Sequence, residues 1–306
     1  MRLLVVGSIA LDTIATPFGT INEGLGGSAT YFSLAARHLT DINLVAVVGE
    51  DFPQEHVSLL QGKGIDIAGL QRSPGKTFRW TGEYGFDLNE ARTIDTQLNV
   101  FQDFTPQLPE AYRNSECVFL ANIDPDLQRE VLEQVDSPTI VACDTMNYWI
   151  QNKPQSLKKT IERVDIVIIN ESEVRQLTAE PNLVKASRTI LSWGPRILII
   201  KRGEYGVLMF SDDSVFSAPA YPLEELFDPT GAGDSFAGGF MGFLANVGTV
   251  DETNVRRGII MGSVMASFCV EAFTPQRLID LNPQEIRNRY CEFKQLTCFE
   301  DLSEII

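Results

Sequence analysis

Positive charge, histidine and cysteine are all scarce in this sequence. Its 306 residues include 25 lysines and arginines against 41 aspartates and glutamates, a net charge of −16, and only two histidines. Such a negative field repels phosphate backbones, so we expect no nucleic-acid partner. The five cysteines are odd in number and form no C-x-x-C pair, which predicts free thiols in a reducing cytoplasm instead of a cysteine-bound metal.

A long apolar run is also missing. No stretch approaches the roughly 20 consecutive apolar residues that cross a bilayer. The apolar start of the chain breaks at Gly7 and Asp12, which is too early for a signal-peptide core and predicts a first buried strand. We therefore expect a cytoplasmic protein without a membrane partner.

Two nucleotide-binding fingerprints are absent. A dinucleotide-dependent oxidoreductase needs G-x-G-x-x-G after the first strand, but here Gly7 is followed by Ser-Ile-Ala-Leu-Asp. The later run Gly231-x-Gly233 has Phe236 in the place of the third glycine. No G-x-x-x-x-G-K-[ST] occurs either, which disfavours a P-loop enzyme.

Short runs that are apolar at every position alternate with amphipathic stretches. Such runs predict strands covered on both faces, as in a parallel sheet. The β-α-β order predicts one α/β domain over residues 1–306, with helices on both faces of a mostly parallel sheet. The predicted strands are Leu3–Gly7, Leu44–Val48, Cys117–Ala121, Thr139–Cys143, Ile166–Ile169 and Ile197–Ile200, and the last two predicted helices are Asp234–Val247 and Val255–Val270.

Residues 77–104 break this alternation. The segment is polar and aromatic, with turn formers at Asp87-Leu88-Asn89, and predicts a hairpin whose faces are both partly exposed. A two-sided polar ribbon attached to a buried sheet is typical of a lid over a cleft. An edge hairpin that only protects the sheet is the alternative, and the pattern is equally compatible with it.

The segment with the most chemical information is FDPTGAGDSFAGG, from Phe227 to Gly239. Gly231 and Gly233, separated by Ala232, allow a tight turn that points N–H groups to one side, where a helix begins. An acidic protein that handles phosphate needs such an uncharged anion hole. Asp234, on the first turn of this helix, is placed to accept a proton from an attacking hydroxyl, with a helix cap as its alternative role.

The stretch DPTGAGDSFAGGF resembles the second signature of the PfkB, or ribokinase-like, kinases. The resemblance implies a three-layer α/β fold with a small β lid, and transfer of phosphate from ATP to a hydroxyl of a small sugar or nucleoside. It also implies that Asp234 is the catalytic base and that Gly231, Ala232 and Gly233 form the anion hole. Thr230 is implied to contact the nucleotide.

Further matches to the family each follow a predicted strand, at the edge where open α/β sheets bind ligands. The segment GSIALD implies that Asp12 grips substrate hydroxyls, and the pair Gly26-Gly27 resembles the first signature, which borders the substrate and hinges the lid. Asn170 and Glu173 match a motif that positions Mg²⁺ through water, although alone they would be a typical helix cap. The segment KRGEYG resembles the lining of the nucleotide site, with Lys201, Gly203 and Gly206 as its candidates.

Other positions extend or depart from the family pattern. Asn122 and Asp144 follow strands and are further candidates for hydroxyl contacts. Tyr31 stands where sugar kinases of the family carry an asparagine, which puts the usual ribose contact in doubt. Only 13 residues separate Asp12 from Gly26, so we expect the lid to depend on residues 77–104.

The sequence therefore predicts a PfkB-type sugar kinase that uses ATP and Mg²⁺. A ribonucleoside kinase is the first alternative, and a non-catalytic sugar-binding regulator on the same fold is the second. Activation by a monovalent cation is open, because Asp228 matches a cation-site position but the usual Gly-Ala turn is absent from residues 268–273. The expected partners are the small acceptor and ATP, and a homodimer through the lid is an open alternative.

Overall fold

Strands alternate with helices through most of the chain, of which the computed structural model describes residues 1–89, 91–212 and 214–298. The strands are β1 (Leu3–Val6), β2 (Ala10–Thr16), β3 (Gly19–Gly26), β4 (Ile42–Gly49), β5 (Ile65–Ser73), β6 (Phe78–Tyr84), β7 (Ala91–Gln97), β8 (Cys117–Leu120), β9 (Ile140–Cys143), β10 (Ile166–Asn170), β11 (Ile197–Lys201), β12 (Val207–Ser211) and β13 (Val215–Ala218). The helices are α1 (Ser28–Ala36), α2 (Gln54–Gly62), α3 (Pro125–Leu132), α4 (Asn147–Asn152), α5 (Pro154–Ile161), α6 (Glu171–Thr178), α7 (Leu183–Leu191), α8 (Ala232–Val247), α9 (Glu252–Cys269), α10 (Gln276–Asp280) and α11 (Pro283–Thr297).

A nine-stranded sheet forms the centre of the molecule, in the order β13-β12-β11-β10-β9-β8-β1-β4-β5. The strands from β11 to β5 are parallel, and β12 and β13 extend this sheet antiparallel. Along β1, Leu3 and Val5 belong to the apolar cluster on one face, while Leu4 and Val6 belong to the cluster on the other. Both faces are thus covered, and the predicted α/β fold with a mostly parallel sheet is confirmed.

The chain changes direction across the sheet at β1. From β1 it proceeds to β4 and β5 on one side, and later to β8, β9, β10 and β11 on the other. Adjacent loops diverge at such a point and leave a crevice at the carboxyl ends of the strands. The loops after β1 and β8 border this crevice, and a Cβ on Gly7 would lie 2.8 Å from that of Ala121.

Small residues let α8 pack closely on its neighbours. A Cβ on Gly238 would lie 2.3 Å from the carbonyl oxygen of Phe32 in α1, and one on Gly239 would lie 2.8 Å from that of Met261 in α9. The interior has no spare volume for larger side chains here. This packing fixes the amino end of α8 at the crevice.

A second, four-stranded sheet lies beside the crevice, in the order β3-β2-β6-β7. The short segment from Asp12 to Gly26 holds two strands of this sheet, for which we expected little room, because β2 and β3 are joined by a tight turn at Pro17-Phe18. The predicted hairpin also ends earlier than residue 104. The apolar side chains of Val100, Phe101 and Phe104 return to the main core.

Two further properties bear on the sequence expectations. Among the described residues, no helix is both long and apolar enough to cross a membrane. All five cysteines are free, with Cys117, Cys143 and Cys269 buried.

Candidate active site

Asp12 and the glycine pair meet where the second sheet joins the body. Asp12 lies on β2 and is 4% exposed. A Cβ on Gly26 would lie 1.9 Å from Oδ2 of Asp12, so only glycine leaves room for this carboxylate. Gly27 has a φ of 92°, which favours glycine, and its backbone N–H lowers the pKa of Asp12. The pair thus supports the Asp12 carboxylate and leads directly into α1.

The electrostatic surroundings of Asp12 indicate a shared acidic space. Burial raises the pKa of Asp12 to about 7, the N–H of Gly27 lowers it, and the charges of Asp228 and Asp234 raise it further. Burial also raises the pKa of Asp228. Carboxylates from β2, from the turn before α8 and from α8 itself therefore face one region.

The turn before α8 has the geometry of an anion site. Gly231 is in the left-handed conformation, with a φ of 77°, and α8 begins at Ala232. The N–H of Ala232 donates to the carbonyl of Pro229, whereas no hydrogen bond within the described ranges uses the N–H of Gly231 or Gly233. First-turn N–H groups lack partners inside a helix. They and the helix dipole are available to an anion.

Asp228 and Thr230 brace this turn. Asp228 accepts hydrogen bonds from the N–H of Thr230 over 2.9 Å and from the N–H of Thr274 over 3.2 Å. The hydroxyl of Thr230 bonds to that of Tyr84 on β6 over 3.2 Å. The contact with Tyr84 was not predicted from the sequence, which showed only that Tyr84 belongs to an aromatic hairpin.

Lys201, at the end of β11, lies among three carboxylates. Asp144 follows β9, Glu173 follows β10, and Asp234 is on α8. Its Nζ donates to Oδ2 of Asp144 over 2.9 Å, and a Cβ on Gly233 would lie 2.8 Å from the same Nζ. Although burial lowers the pKa of Lys201, the charges of Asp144, Glu173 and Asp234 raise it, so the ammonium is retained. The ion pair places Asp144 with the predicted base and metal residues.

The carboxylates around Lys201 carry more negative charge than the lysine offsets. Burial, followed by the charge of Asp144, raises the pKa of Asp234 to about 7, and Lys201 lowers it. Burial and the charge of Asp144 also raise the pKa of Glu173. Excess carboxylate charge out of water fits a divalent cation, whose preferred ligands are oxygens. No group of three or more metal-ligating side chains within the described residues forms a ready-made metal site.

Asn170 and Glu173 form a capping box at the start of α6. The Oδ1 of Asn170 accepts from the N–H of Glu173 over 2.8 Å, and Oε2 of Glu173 accepts from the N–H of Asn170 over 2.8 Å. The cap that we set as the alternative role for these residues is therefore present. It occupies Oε2 of Glu173 and holds the buried carboxylate beside Lys201.

The segment after β11 forms a tight turn with glycines at both ends. Gly203 and Gly206 have φ values of 54° and 80°. A Cβ on Gly206 would lie 2.1 Å from the carbonyl oxygen of Ala218. Arg202 is not a free cation, because its Nε donates to Glu171 on α6 over 2.7 Å.

The residues that follow β8 have structural partners. Oδ1 of Asn122 accepts from the indole N–H of Trp149 on α4 over 3.0 Å. Asp124, another polar residue at this edge, caps α3 and binds Lys153 over 2.6 Å. Asn122 remains at the crevice, and Asp124 belongs to a surface ion pair.

Comparison with known proteins agrees with this geometry. The model of the pfkB family of carbohydrate kinases matches residues 2–280. The chain is 31% identical over 265 residues to a cytidine kinase of Thermococcus kodakarensis, covering 85% of this chain and 94% of that protein. It is 28% identical over 289 residues to a nucleoside kinase of Methanothermobacter thermautotrophicus, covering 88% and 89% of the two chains.

Solved structures share the fold. A nucleoside kinase of Burkholderia thailandensis in complex with inosine has a TM-score of 0.77 at 20% identity, covering 98% of this chain and 100% of that one. An Escherichia coli protein solved in complex with ATP and Mg²⁺ has a TM-score of 0.78 at 18% identity, with coverage of 95% and 99%. At these identities the likeness concerns the fold alone.

Proposed function

Because this chain belongs to the pfkB family of carbohydrate kinases, we propose that it transfers the γ-phosphoryl group of ATP to a sugar hydroxyl of a ribonucleoside. At the coarser level it is a sugar or nucleoside kinase of the ribokinase family. The sequence alone favoured a free sugar. The named activities of the two relatives above, a cytidine kinase and a nucleoside kinase, support the nucleoside instead.

One observation carries the mechanism: Asp234 stands on the first turn of α8, beside the N–H groups of Gly231 and Gly233. A carboxylate with a pKa near the working pH is well matched to accept a proton from an attacking hydroxyl. The neighbouring amides would stabilise the charge that develops on the transferred phosphoryl group. Asp234 is thus proposed as the general base, and the N–H groups of Gly231 and Gly233 as the anion hole. The N–H of Ala232, which the sequence analysis included, already donates to the carbonyl of Pro229.

The other residues have supporting roles in this proposal. Asp12 would accept hydrogen bonds from acceptor hydroxyls and orient one of them toward Asp234, with Gly26 and Gly27 shaping the pocket. Lys201 would face the phosphates, since its ammonium lies within reach of Gly233. Thr230, Gly203 and Gly206 would line the nucleotide.

The site also fits the Mg²⁺ that accompanies ATP. When bound, the ion supplies positive charge that neutralises the phosphates. Asn170 and Glu173 are proposed to hold it through water, because their capping box fixes a buried carboxylate beside the Lys201 ammonium. Asp144, which the sequence placed among the acceptor contacts, is instead proposed to hold Lys201 in position through their ion pair.

We also propose that the chain is one domain whose four-stranded sheet is a lid. Strands β2 and β3 supply Asp12 and Gly26, while β6 reaches the turn before α8 through the bond between Tyr84 and Thr230. Every residue of β7 is exposed, which suits a cover and not a core strand. Exclusion of water by such a cover limits hydrolysis of ATP.

A panel of acceptors tests the proposed function. ADP release is measured with cytidine, adenosine, inosine, ribose and fructose, using Asp234→Asn as the matched inactive control. We expect at least one nucleoside to give a kcat/KM about tenfold or more above that of either free sugar. A free sugar as the best acceptor would contradict the nucleoside assignment, and ADP release by Asp234→Asn at the wild-type rate would contradict the mechanism.

A further inference from the structure

The tip of the β6–β7 hairpin contacts the turn that follows β11. Nδ2 of Asn89 donates to Oε1 of Glu204 over 3.1 Å, and the N–H of Glu204 donates to Oδ1 of Asn89 over 3.2 Å. A Cβ on Gly203 would lie 1.9 Å from the same Oδ1. The amide of Asn89 therefore fits flush against the backbone of this turn, and only glycine at position 203 admits it.

The side chain of Asn89 is also held in this orientation by a residue of its own loop. Oδ1 of Asp87 accepts hydrogen bonds from the backbone N–H and from Nδ2 of Asn89, each over 3.0 Å. A side chain held in its bound conformation loses less entropy when the contact forms. The opposite side of the turn is held by Arg202, which binds Glu171 on α6.

The same hairpin makes a second contact with the proposed active site. At the end of β6, Tyr84 bonds to Thr230 in the turn before α8 over 3.2 Å. One hairpin therefore touches both segments proposed to contact the nucleotide, one from the end of β6 and the other from the loop that follows it. Movement of the hairpin would change the support of both.

From this geometry we propose that Asn89 is a positioning residue for the nucleotide: it holds the Gly203–Glu204 turn from the lid side, so that the ATP site is complete only when the lid is closed. This inference rests on the proposed function. Closure of the lid over the acceptor would then strengthen nucleotide binding. By thermodynamic linkage, bound nucleotide would strengthen acceptor binding by the same factor.

Binding of a non-hydrolysable ATP analogue, measured by calorimetry with and without saturating cytidine, tests the proposal. The variants are Asn89→Ala on the lid and Glu204→Ala on the body, with Glu204→Gln keeping an acceptor for Nδ2 of Asn89. Phe86→Ala is the matched control, because Phe86 lies on the same hairpin tip and is 97% exposed. Unchanged thermal unfolding of each variant shows that the fold is kept.

We expect Asn89→Ala to weaken analogue binding about three- to tenfold in the presence of cytidine, because two exposed hydrogen bonds are lost. Without cytidine its effect should be smaller. Glu204→Ala should weaken binding similarly, the double variant should add little, and Glu204→Gln should retain most of the affinity. Equal analogue affinities for Asn89→Ala and Phe86→Ala would overturn the proposal.

The two failures can be told apart. An absence of phosphorylation by the wild-type chain with every acceptor of the panel would refute the proposed function. The role of Asn89 is read from analogue binding, which needs no turnover. If Asn89→Ala failed to bind cytidine in the absence of nucleotide, the inference would also be refuted. The contact would then act on acceptor binding and not on the nucleotide site.

Discussion

The ring of Tyr31 lies against Gly231, so close that a Cβ on this glycine would fall 2.3 Å from the ring carbons. Tyr31 belongs to α1 and is 1% exposed, while Gly231 forms the turn before α8 with a φ of 77°. The ring of Tyr31 therefore packs against the turn that forms the proposed anion hole. Its shape depends on the absence of a side chain at position 231.

Gly231→Ala should remove most activity, and Gly248 offers a matched control. Both glycines flank α8 with nearly the same φ, 77° and 76°, but a Cβ on Gly248 meets nothing within 4 Å. Gly248→Ala should cost only about 1–2 kcal/mol of backbone strain and leave kcat unchanged. Gly231→Ala should also displace the amides and lower kcat about 100-fold or more. Equal kcat values for the two variants would show that the turn does not hold the phosphoryl group.

Unmodified ribose should be a poor acceptor. Tyr31 is buried where an asparagine was expected, and its hydroxyl has no hydrogen-bond partner among the described residues. A ribose hydroxyl that loses a partner in a closed pocket costs about 1–3 kcal/mol, or roughly 5- to 150-fold in kcat/KM. Comparison of ribose with the best nucleoside measures this ratio, and a preference for ribose would refute the argument. Tyr31→Phe, which keeps the ring against Gly231, should leave the ratio unchanged.

Asp234→Asn should lower kcat by roughly 10²–10⁴-fold while an ATP analogue still binds. The asparagine cannot accept the proton, but the N–H groups of Gly231 and Gly233 remain. Single-turnover rates and calorimetric affinity separate the two effects. Wild-type turnover in this variant would leave Asp234 with a helix-end role only.

The pH dependence should follow the same carboxylate. Burial raises the pKa of Asp234 to about 7 from 3.8, and only its ionised form accepts a proton, so kcat/KM should rise with pH up to about 7 and then level. Stability should change in the opposite direction. Because the folded-state pKa is raised, stability falls as pH increases from about 4 to 7, and Asp234→Asn removes this penalty. Thermal unfolding should show the variant more stable than the wild type at pH 8 and equal to it near pH 4.

Glu173→Gln should raise the Mg²⁺ concentration needed for half-maximal activity. Glutamine can still accept the N–H of Asn170, so the capping box and the fold should be kept. Only the negative charge beside Lys201 is lost. Titration of Mg²⁺ at fixed ATP tests the expectation, with Gln176→Ala, at an exposed position of the same helix, as a control. An identical Mg²⁺ curve would leave Glu173 as a cap alone.

The lid sheet should become protected when both substrates bind. We expect amide hydrogen exchange in residues 78–97 to slow with cytidine and an ATP analogue together, since closure orders β6 and β7. Helix α11, none of whose residues belongs to the proposed site, provides an internal reference. Exchange rates that do not differ between free and doubly bound protein would rule out a moving lid.

The sequence predicted the central strands well because they are apolar at every position. It did not predict β5, which is only partly buried, or the β2–β3 hairpin, which is too short for a clear pattern. Local composition also could not show where the lid hairpin ends, because Phe101 and Phe104 look like lid aromatics until they pack in the core.

For the site, the motifs located the segments but not their pairings. Glycine turns and helix starts are local, so Gly231 and Asp234 could be assigned directly. The ion pair between Lys201 and Asp144 joins residues 57 positions apart. Such a pairing depends on which strands are neighbours, which the sequence left undetermined.

The position of Asp12 on β2 has a consequence for engineering. The proposed acceptor-binding carboxylate and the proposed lid strands belong to one four-stranded sheet. A chimera that took only β6 and β7 from a relative would combine the lid strands of that relative with Asp12 of this chain. Transfer of acceptor preference should therefore need the segment from Ala10 to Gly26 as well, with Gly26 retained to leave room for the carboxylate.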